Sequence, residues 1–285
     1  MKSSKVIFQL FNFLSKTQEK YCMKLHIHHT TSYRYEKDVA HSTQYLRLTP
    51  NNSARQKVLS WNLRLPAQAS RSVDAYGNVL HVITLDYPHQ DLVIEAEGYV
   101  EVEDSARDVA DGLSPLVFLR ATPLTRADAG LIEFALPEAR YVHSFAEKAA
   151  RSLMERLHQR MNFQPGETDV YTTAIEAFAK KQGVCQDFAH VYLALARCIG
   201  LPARYVSGYL HTHATEHVSS HAWVEVWAND YWWGLDVANG VEAGHQHLKL
   251  AVGMDYLDAC PIRGTRTGGG DESLSATANV REMDQ

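Results

Sequence analysis

A cysteine, a histidine and an aspartate follow one another between residues 183 and 236 in contexts that suit a thiol nucleophile. Cys185 stands in Gly183-Val184-Cys185-Gln186-Asp187-Phe188, where a loop runs into an amphipathic segment. His221 opens the alternating run His221-Ala222-Trp223-Val224-Glu225-Val226-Trp227, and Asp236 ends Trp232-Trp233-Gly234-Leu235-Asp236. Residues of these types in this order are candidates for acyl transfer through a thioester. The imidazole would serve as base and the carboxylate as its orienting partner.

Two elements must bring these side chains together. After Cys185 the apolar residues Phe188, Ala189, Tyr192, Leu195, Ala196 and Ile199 recur at steps of three and four, one face of a helix. Gly200 and Pro202 end it. Cys185 then lies at the helix N-terminus, where unpaired N–H groups and the helix dipole favour a thiolate and offer a place for an oxyanion. Asp187 in the first turn stabilises the helix end, although its charge opposes part of that effect. The second element is a hairpin, with Asn229-Asp230 as a two-residue turn. In that register paired positions sum to 459, so Ala228 faces Tyr231 and Trp223 faces Asp236. His221 becomes the diagonal neighbour of Asp236 on one face, at about 7–8 Å between backbones. Asp236 can then fix one tautomer of His221 while the other ring nitrogen faces the thiol. The remaining cysteines read more simply: Cys198, late on the helix, as a small buried hydrophobe, and Cys22 and Cys260 as inert.

In these segments the chain resembles the transglutaminase-like superfamily, relatives of papain-type cysteine peptidases. More closely, it resembles the bacterial members that carry a β-rich domain ahead of the catalytic core. The matching text is G-V-C-Q-D-F-A-H at 183–190, G-L-P-A-R-Y-V-S-G-Y at 200–209, H-A-W-V-E-V at 221–226 and W-W-G-L-D at 232–236. A-V-G-M-D-Y at 251–256, followed by Pro261-Ile262-Arg263-Gly264, fits the closing stretch of the core. The resemblance covers most of residues 23–283. It implies Cys185 as nucleophile, His221 as general base and acid, and Asp236 as orienting carboxylate. Relatives commonly read Asp-Pro-Thr-Asn where this chain has Asp236-Val237-Ala238-Asn239, a departure that bears on the loop and not on the triad. Members are described as peptidases, amidases and cross-linkers, and some have lost activity, so the resemblance implies mechanism more than reaction.

The expected fold is α+β. Residues 1–22 read as an N-terminal extension, 23–104 as an antiparallel β-sandwich or barrel domain, and 105–141 as a connector. Residues 142–285 read as a papain/transglutaminase-like core, with the nucleophile helix packed on an antiparallel sheet. Predicted strands are Leu25–Tyr35, Thr43–Thr49, Val58–Leu65, Val79–Leu85 and Leu92–Val102. In the last of these, Ile94, Ala96, Gly98, Val100 and Val102 alternate with Glu95, Glu97, Tyr99 and Glu101. Helices are predicted over Val142–Leu157 and Thr172–Lys181. A strand is predicted at Leu248–Val252 and another at 274–280, after the Gly268-Gly269-Gly270 turn.

At 285 residues, 45% hydrophobic and 21% charged, the chain is an ordinary globular protein of one large or two modest domains. A formal charge of −5 gives no footing for nucleic acid or an anionic membrane as partner, so the expected partner is a peptide or protein substrate. Four scattered cysteines, one needed reduced, favour a reducing, cytoplasmic compartment. Lys2, Lys5 and the apolar stretch from Val6 to Leu14 superficially resemble an export signal, which is the alternative. The stretch is short, and Ser15 to Lys20 supplies no small-residue cleavage site. It also falls well below the roughly 20 residues of a membrane span.

Fifteen histidines, with His211, His213, Glu216, His217 and His221 close in sequence, raise a zinc-hydrolase alternative. No HExxH or CxxC spacing accompanies them, and no metal or other cofactor is expected. Trp223, on the face of His221, is the expected cleft wall. Arg204 is a candidate for a substrate carboxylate or for a structural ion pair. Tyr171 and Gln182 are candidates for a second oxyanion donor, and His190 reads as structural. The expected function is a cysteine peptidase or amidase. The alternatives are amine transfer to protein glutamine and, from another class, a non-catalytic binding module on the same fold.

Overall fold

The structure, a computed structural model, describes residues 22–109, 112–212 and 220–283. Apart from Cys22, the extension predicted at 1–22 lies outside the described residues, as do His213, Glu216 and His217.

Five strands, β1 (Cys22–Leu46), β2 (Gln56–Arg64), β3 (Ser70–Val73), β4 (Val79–Leu85) and β5 (His89–Glu103), form an antiparallel sheet in the order β2-β5-β1-β4-β3. The period-two pattern dictates it: Met23, Leu25 and Ile27 on β1 and Leu92, Ile94, Ala96, Val100 and Val102 on β5 are buried on one face. Where two strands were expected, β1 runs unbroken through the exposed Glu36-Lys37-Asp38. A distant glycine turn pairs with that polar stretch: Lys37 N–H donates to Gly269 O at 2.9 Å and Gly269 N–H to Asp38 O at 3.1 Å.

The middle of the chain builds a second unit. It comprises β6 (Arg107–Val109), α1 (Ala129–Ala139), α2 (Ala146–Arg160), β7 (Asn162–Phe163), α3 (Ala174–Lys180), β8 (Gln182–Gly183) and α4 (Cys185–Cys198). β9 (Ala203–Leu210), β10 (Ser220–Ala228), β11 (Tyr231–Asp236), β12 (Val241–Glu242), β13 (His247–Gly253) and α5 (Tyr256–Ala259) complete it. The second sheet has the order β12-β11-β10-β9-β13, with β6 on β11, while β7 and β8 make a separate parallel pair. The predicted connector thus contains a strand and a helix. α1 was not legible because Pro137 sits inside it and its apolar residues spread round the axis, Leu131 and Ala135 buried but Ile132 and Leu136 exposed. α4 is buried nearly all round from Asp187 to Arg197, with α1, α2 and α3 packed on it and the second sheet against it. Ala222, Val224, Val226, Trp233 and Leu235 face that helical core. The opposite face of the sheet carries Arg204, His221, Trp223, Glu225 and Asp236, alternate positions in the same pairing register.

The last two strands correct a boundary. β14 (Ile262–Gly268) and β15 (Glu272–Glu282), expected to belong with 142–285, both pair with β1 and bring the first sheet to seven strands. Ala278 and Val280 join the core of Leu25 and Ile27. Alternation marks a strand but says nothing of a partner more than 200 residues away, and Glu36 and Asp271, which bond to each other, are 235 apart. The two units meet at β13. Its Leu248 and Leu250 enter the core of the first sheet. Its outer backbone is bonded by side-chain amides: Gln56 Oε1 accepts Lys249 N–H at 2.8 Å and Gln56 Nε2 donates to Lys249 O at 2.9 Å. Asn78 does the same at Val252, with both bonds 2.8 Å. These amides occupy an edge that would otherwise recruit another strand. Among the described residues no helix is long and apolar enough to cross a membrane.

Candidate active site

Cys185 occupies the first turn of α4 because the residues around it build a helix start. Asp187 Oδ2 accepts the Val184 N–H and the Thr168 hydroxyl, each at 2.7 Å, so a carboxylate caps the orphan donors. Gly183 leaves room for it, since a Cβ there would lie 2.5 Å from that oxygen. The N–H groups of Cys185 and Gln186, first in the helix, have no acceptor within it.

Asn229 and Asp230 both adopt positive φ, 50° and 65°, the type I′ turn of a two-residue hairpin. Val224 pairs with Leu235 and Ala228 with Tyr231, the predicted register. His221 and Asp236 are therefore diagonal on one face, and His221 Nε2 lies 2.7 Å from Asp236 Oδ2. That bond leaves Nδ1 for the thiol, and Cys185 lies near enough to act on the ring's protonation. Burial works against charge on His221. The bond to Asp236, the nearness of Cys185 and their negative charge outweigh it and raise the imidazole to about 10. Burial likewise opposes charge on Asp236, which is fully buried. Hydrogen bonds from His221 and His247 hold its carboxyl far below the usual range all the same.

Sequence reading missed His247. Its Nε2 lies 3.0 Å from the same Oδ2 of Asp236. The Asn239 amide donates to that oxygen at 2.7 Å, and the Asn239 N–H to Oδ1 at 3.2 Å. Asn239 thereby closes the loop on Asp236 despite Val237 and Ala238, the residues that depart from the common motif. Burial pushes His247 down, so it bonds as a neutral imidazole through Nε2–H. The strand that carries it was legible. Only the pairing of β13 with β9 brings it near Asp236, and no local pattern encodes that pairing. His221, Asp236 and His247 present ligand-type atoms within 4.8 Å of one another. Their separations of 2.7 and 3.0 Å are hydrogen bonds, and a zinc ion about 2.0–2.2 Å from each atom would require them to part.

The other candidates fall in different places. Trp223 is fully buried, stacked on His221 at 6.2 Å between centroids and 5.3 Å from His247. It supports the imidazole from behind and is not the cleft wall expected of it. Arg204 is 2% exposed, 2.6 Å from Glu225, with its guanidinium 4.0 Å over the Trp232 ring. That is the structural ion pair and not a substrate contact. Tyr171 is 69% exposed on the loop before α3, and the neighbouring Val170 O accepts the Gln186 amide at 3.3 Å. Gln182 is half-buried on β8, paired with Asn162. His190 is buried and its Nε2 accepts the Tyr256 N–H at 3.1 Å, as a structural histidine should. His211 is buried with Nδ1 donating to Val280 O at 3.2 Å. All four cysteines are free. Cys198 is exposed, contrary to expectation, because the last turn of α4 runs out of the core. Burial pushes the Cys260 thiol up to about 11.

Fold and side chains together define a two-part protein, a β-sheet unit joined to a thiol-bearing papain-like core. Residues 25–101 match the bacterial transglutaminase-like N-terminal region, and residues 138–237 match the transglutaminase-like superfamily. An uncharacterized protein of Mycobacterium leprae is 30% identical over 278 residues, covering 91% of this chain and 99% of its own. One of Mycobacterium tuberculosis is 31% identical over 269 residues, 83% of this chain and 85% of its own. The crystal structure of a candidate cysteine protease from Cytophaga hutchinsonii is alike in fold. Its TM-score is 0.69 at 19% identity, covering 93% of this chain and 92% of that one. The chain belongs to the transglutaminase-like superfamily.

Proposed function

We propose that the protein is a cysteine hydrolase of peptide or amide bonds, with Cys185, His221 and Asp236 as its triad. The observation that carries this reading is the 2.7 Å hydrogen bond between His221 and the buried Asp236, with Cys185 near enough to the ring to help raise the imidazole to about 10. Such a ring stays protonated at neutral pH and has a proton to give to a leaving group. The sulfur attacks the amide carbonyl carbon, and the developing oxyanion is received by the N–H groups at the start of α4. His221 gives its proton to the leaving nitrogen, the C–N bond breaks, and a thioester remains on Cys185. His221 then takes a proton from water, which attacks the thioester and releases the acid. The sulfur leaves as thiolate and the ring is again protonated. Asp236 keeps Nδ1 turned to sulfur throughout. Tyr171, exposed beside the start of α4, would contact substrate, and Gln182 would add a donor to the oxyanion. A reducing compartment would keep the thiol available. A lysine-like amine in place of water would make the same thioester a cross-link.

The test is Cys185 alkylation by iodoacetamide from about pH 4 to 9, with sites mapped by mass spectrometry, in the natural protein and in His221→Ala. Cys185 is expected to outpace Cys22, Cys198 and Cys260 below about pH 7 and to lose that advantage in the variant. An ordinary thiol profile in both proteins would instead support a non-catalytic module. Peptide anilide hydrolysis with and without added amine then separates the two acceptors.

A further inference from the structure

We infer that His247 is a positioning residue for the triad, and that the N-terminal unit holds it in place through Arg55. The inference rests on the functional reading above. Asp236 must keep one orientation while His221 gains and loses a proton, and besides that ring and His247 it is held only by Asn239, three residues on in its own loop. His247 approaches the same oxygen from another strand, at 3.0 Å, and is wedged 6.0 Å from the His221 ring and 5.3 Å from Trp223. It is 3% exposed, and its Nδ1 is buried with no hydrogen-bond partner among the described residues. A buried ring nitrogen left unpaired is a cost that an apolar side chain filling the same space would avoid. The ring is thus retained for its single polar contact, the one to Asp236.

The backbone that carries this imidazole is held from the first unit. Arg55, just before β2 and 2% exposed, donates from Nη2 to Gly244 O at 2.7 Å and to His247 O at 3.3 Å. The next residue, Gln56, bonds both backbone groups of Lys249. Consecutive side chains of the β-sheet unit therefore fix residues 244–249 against Asp236. The charged groups facing His247 are Asp236 from β11, His221 from β10 and Arg55 from the first unit. The two cations and burial oppose its protonation, so it serves as a neutral donor across the working range.

Two measurements on the full chain test this. In ring-nitrogen NMR of ¹⁵N-histidine protein, one signal, assigned by its loss in His247→Gln, is expected to be neutral and Nε2-protonated at neutral pH and to titrate below the ordinary imidazole range. An Nδ1-protonated tautomer, or titration near about 6.5, overturns the inference. Alkylation profiles then compare His247→Leu, which keeps bulk without a donor, with His247→Gln, which keeps a donor. His247→Leu is expected to slow Cys185 about ten- to a hundredfold. It should also move the acid limb to higher pH, because Asp236 takes up a proton sooner. His247→Gln should recover most of both effects, and Arg55→Lys should shift the limb the same way by less. Equal behaviour of the Leu and Gln variants reduces His247 to packing, and an unmoved limb in Arg55→Lys removes the first unit from the argument. If the Leu variant does not fold, the tautomer decides. If the natural protein shows no enhanced Cys185 reactivity, the functional reading fails, while the tautomer still judges His247.

Discussion

Two buried polar clusters share one face of the second sheet and differ in what carries their charge. In the first, Arg204 lies 2.6 Å from Glu225, Lys249 2.8 Å from Glu225 and Lys249 3.0 Å from Asp108. Burial pushes the Glu225 carboxyl up, but Lys249 and Arg204 outweigh it and bring it to about 2, so this carboxylate stays charged at any ordinary pH. The second cluster stands on β10, β11 and β13, sharing β10 and β13 with the first, and is as deeply buried. Its single carboxylate, Asp236, is met by two imidazoles and an amide. Imidazoles exchange protons near neutrality and guanidinium does not. The ion-pair cluster can fasten strands together, whereas the imidazole cluster, set against a thiol, can move a proton. Burial and charge alone would not tell them apart; titratability and the neighbouring sulfur do.

The sharpest way to break this comparison is to remove one carboxylate from each cluster. Asp236→Asn is expected to lower Cys185 reactivity or turnover by about 10²–10⁴-fold, since a neutral amide does not stabilise the ring's charge and its NH2 group would meet donors that the carboxylate now accepts. Glu225→Gln should leave reactivity per folded molecule close to that of the natural protein. Comparable losses in both variants would mean that the two clusters act as one. Stability should respond in the opposite order. Glu225→Gln leaves Arg204 and Lys249 buried without their shared partner, at a cost of about 3–5 kcal/mol read from denaturant midpoints. A cost below about 1 kcal/mol would place that cluster among weak surface-type pairs.

A subtler separation comes from pH. The folded pKa of His221 is raised to about 10, so its contribution is complete below the unfolded value near 6.5 and is lost as pH rises through about 10. Asp236 is depressed, so its contribution is present above about 3.9 and is lost as pH falls. The Tm gap between the natural protein and Asp236→Asn should therefore be widest from about pH 4 to 6.5 and close toward pH 10. The gap for Glu225→Gln should stay flat from about pH 5 to 9. Parallel curves would erase the distinction.

What sequence conveyed follows the reach of each signal. The type I′ turn at Asn229-Asp230 fixed the hairpin register and with it the diagonal of His221 and Asp236. Period two fixed the buried face of β5. The start of α4 was legible from the residues that build it. Signals failed where the partner was distant: His247 meets Asp236 only through the neighbour chosen by β13, and β14 and β15 find β1 across most of the chain. They failed again where a side chain's surroundings depend on the whole fold, so Trp223 proved to be packing and Cys198 to be exposed.

The pairing of β14 and β15 with β1 has a consequence for synthesis. Residues 25–35 of β1 gain β5 early, but their other edge waits for residues 272–282. As the chain leaves the ribosome, the first sheet presents an open edge for as long as the thiol-bearing unit is being made and folded within it. Pairings so remote form slowly, and an unpaired edge recruits other chains. Residues 262–282 act as a clasp that arrives after the second unit, so a message truncated before them yields an aggregation-prone frame and not a smaller folded protein.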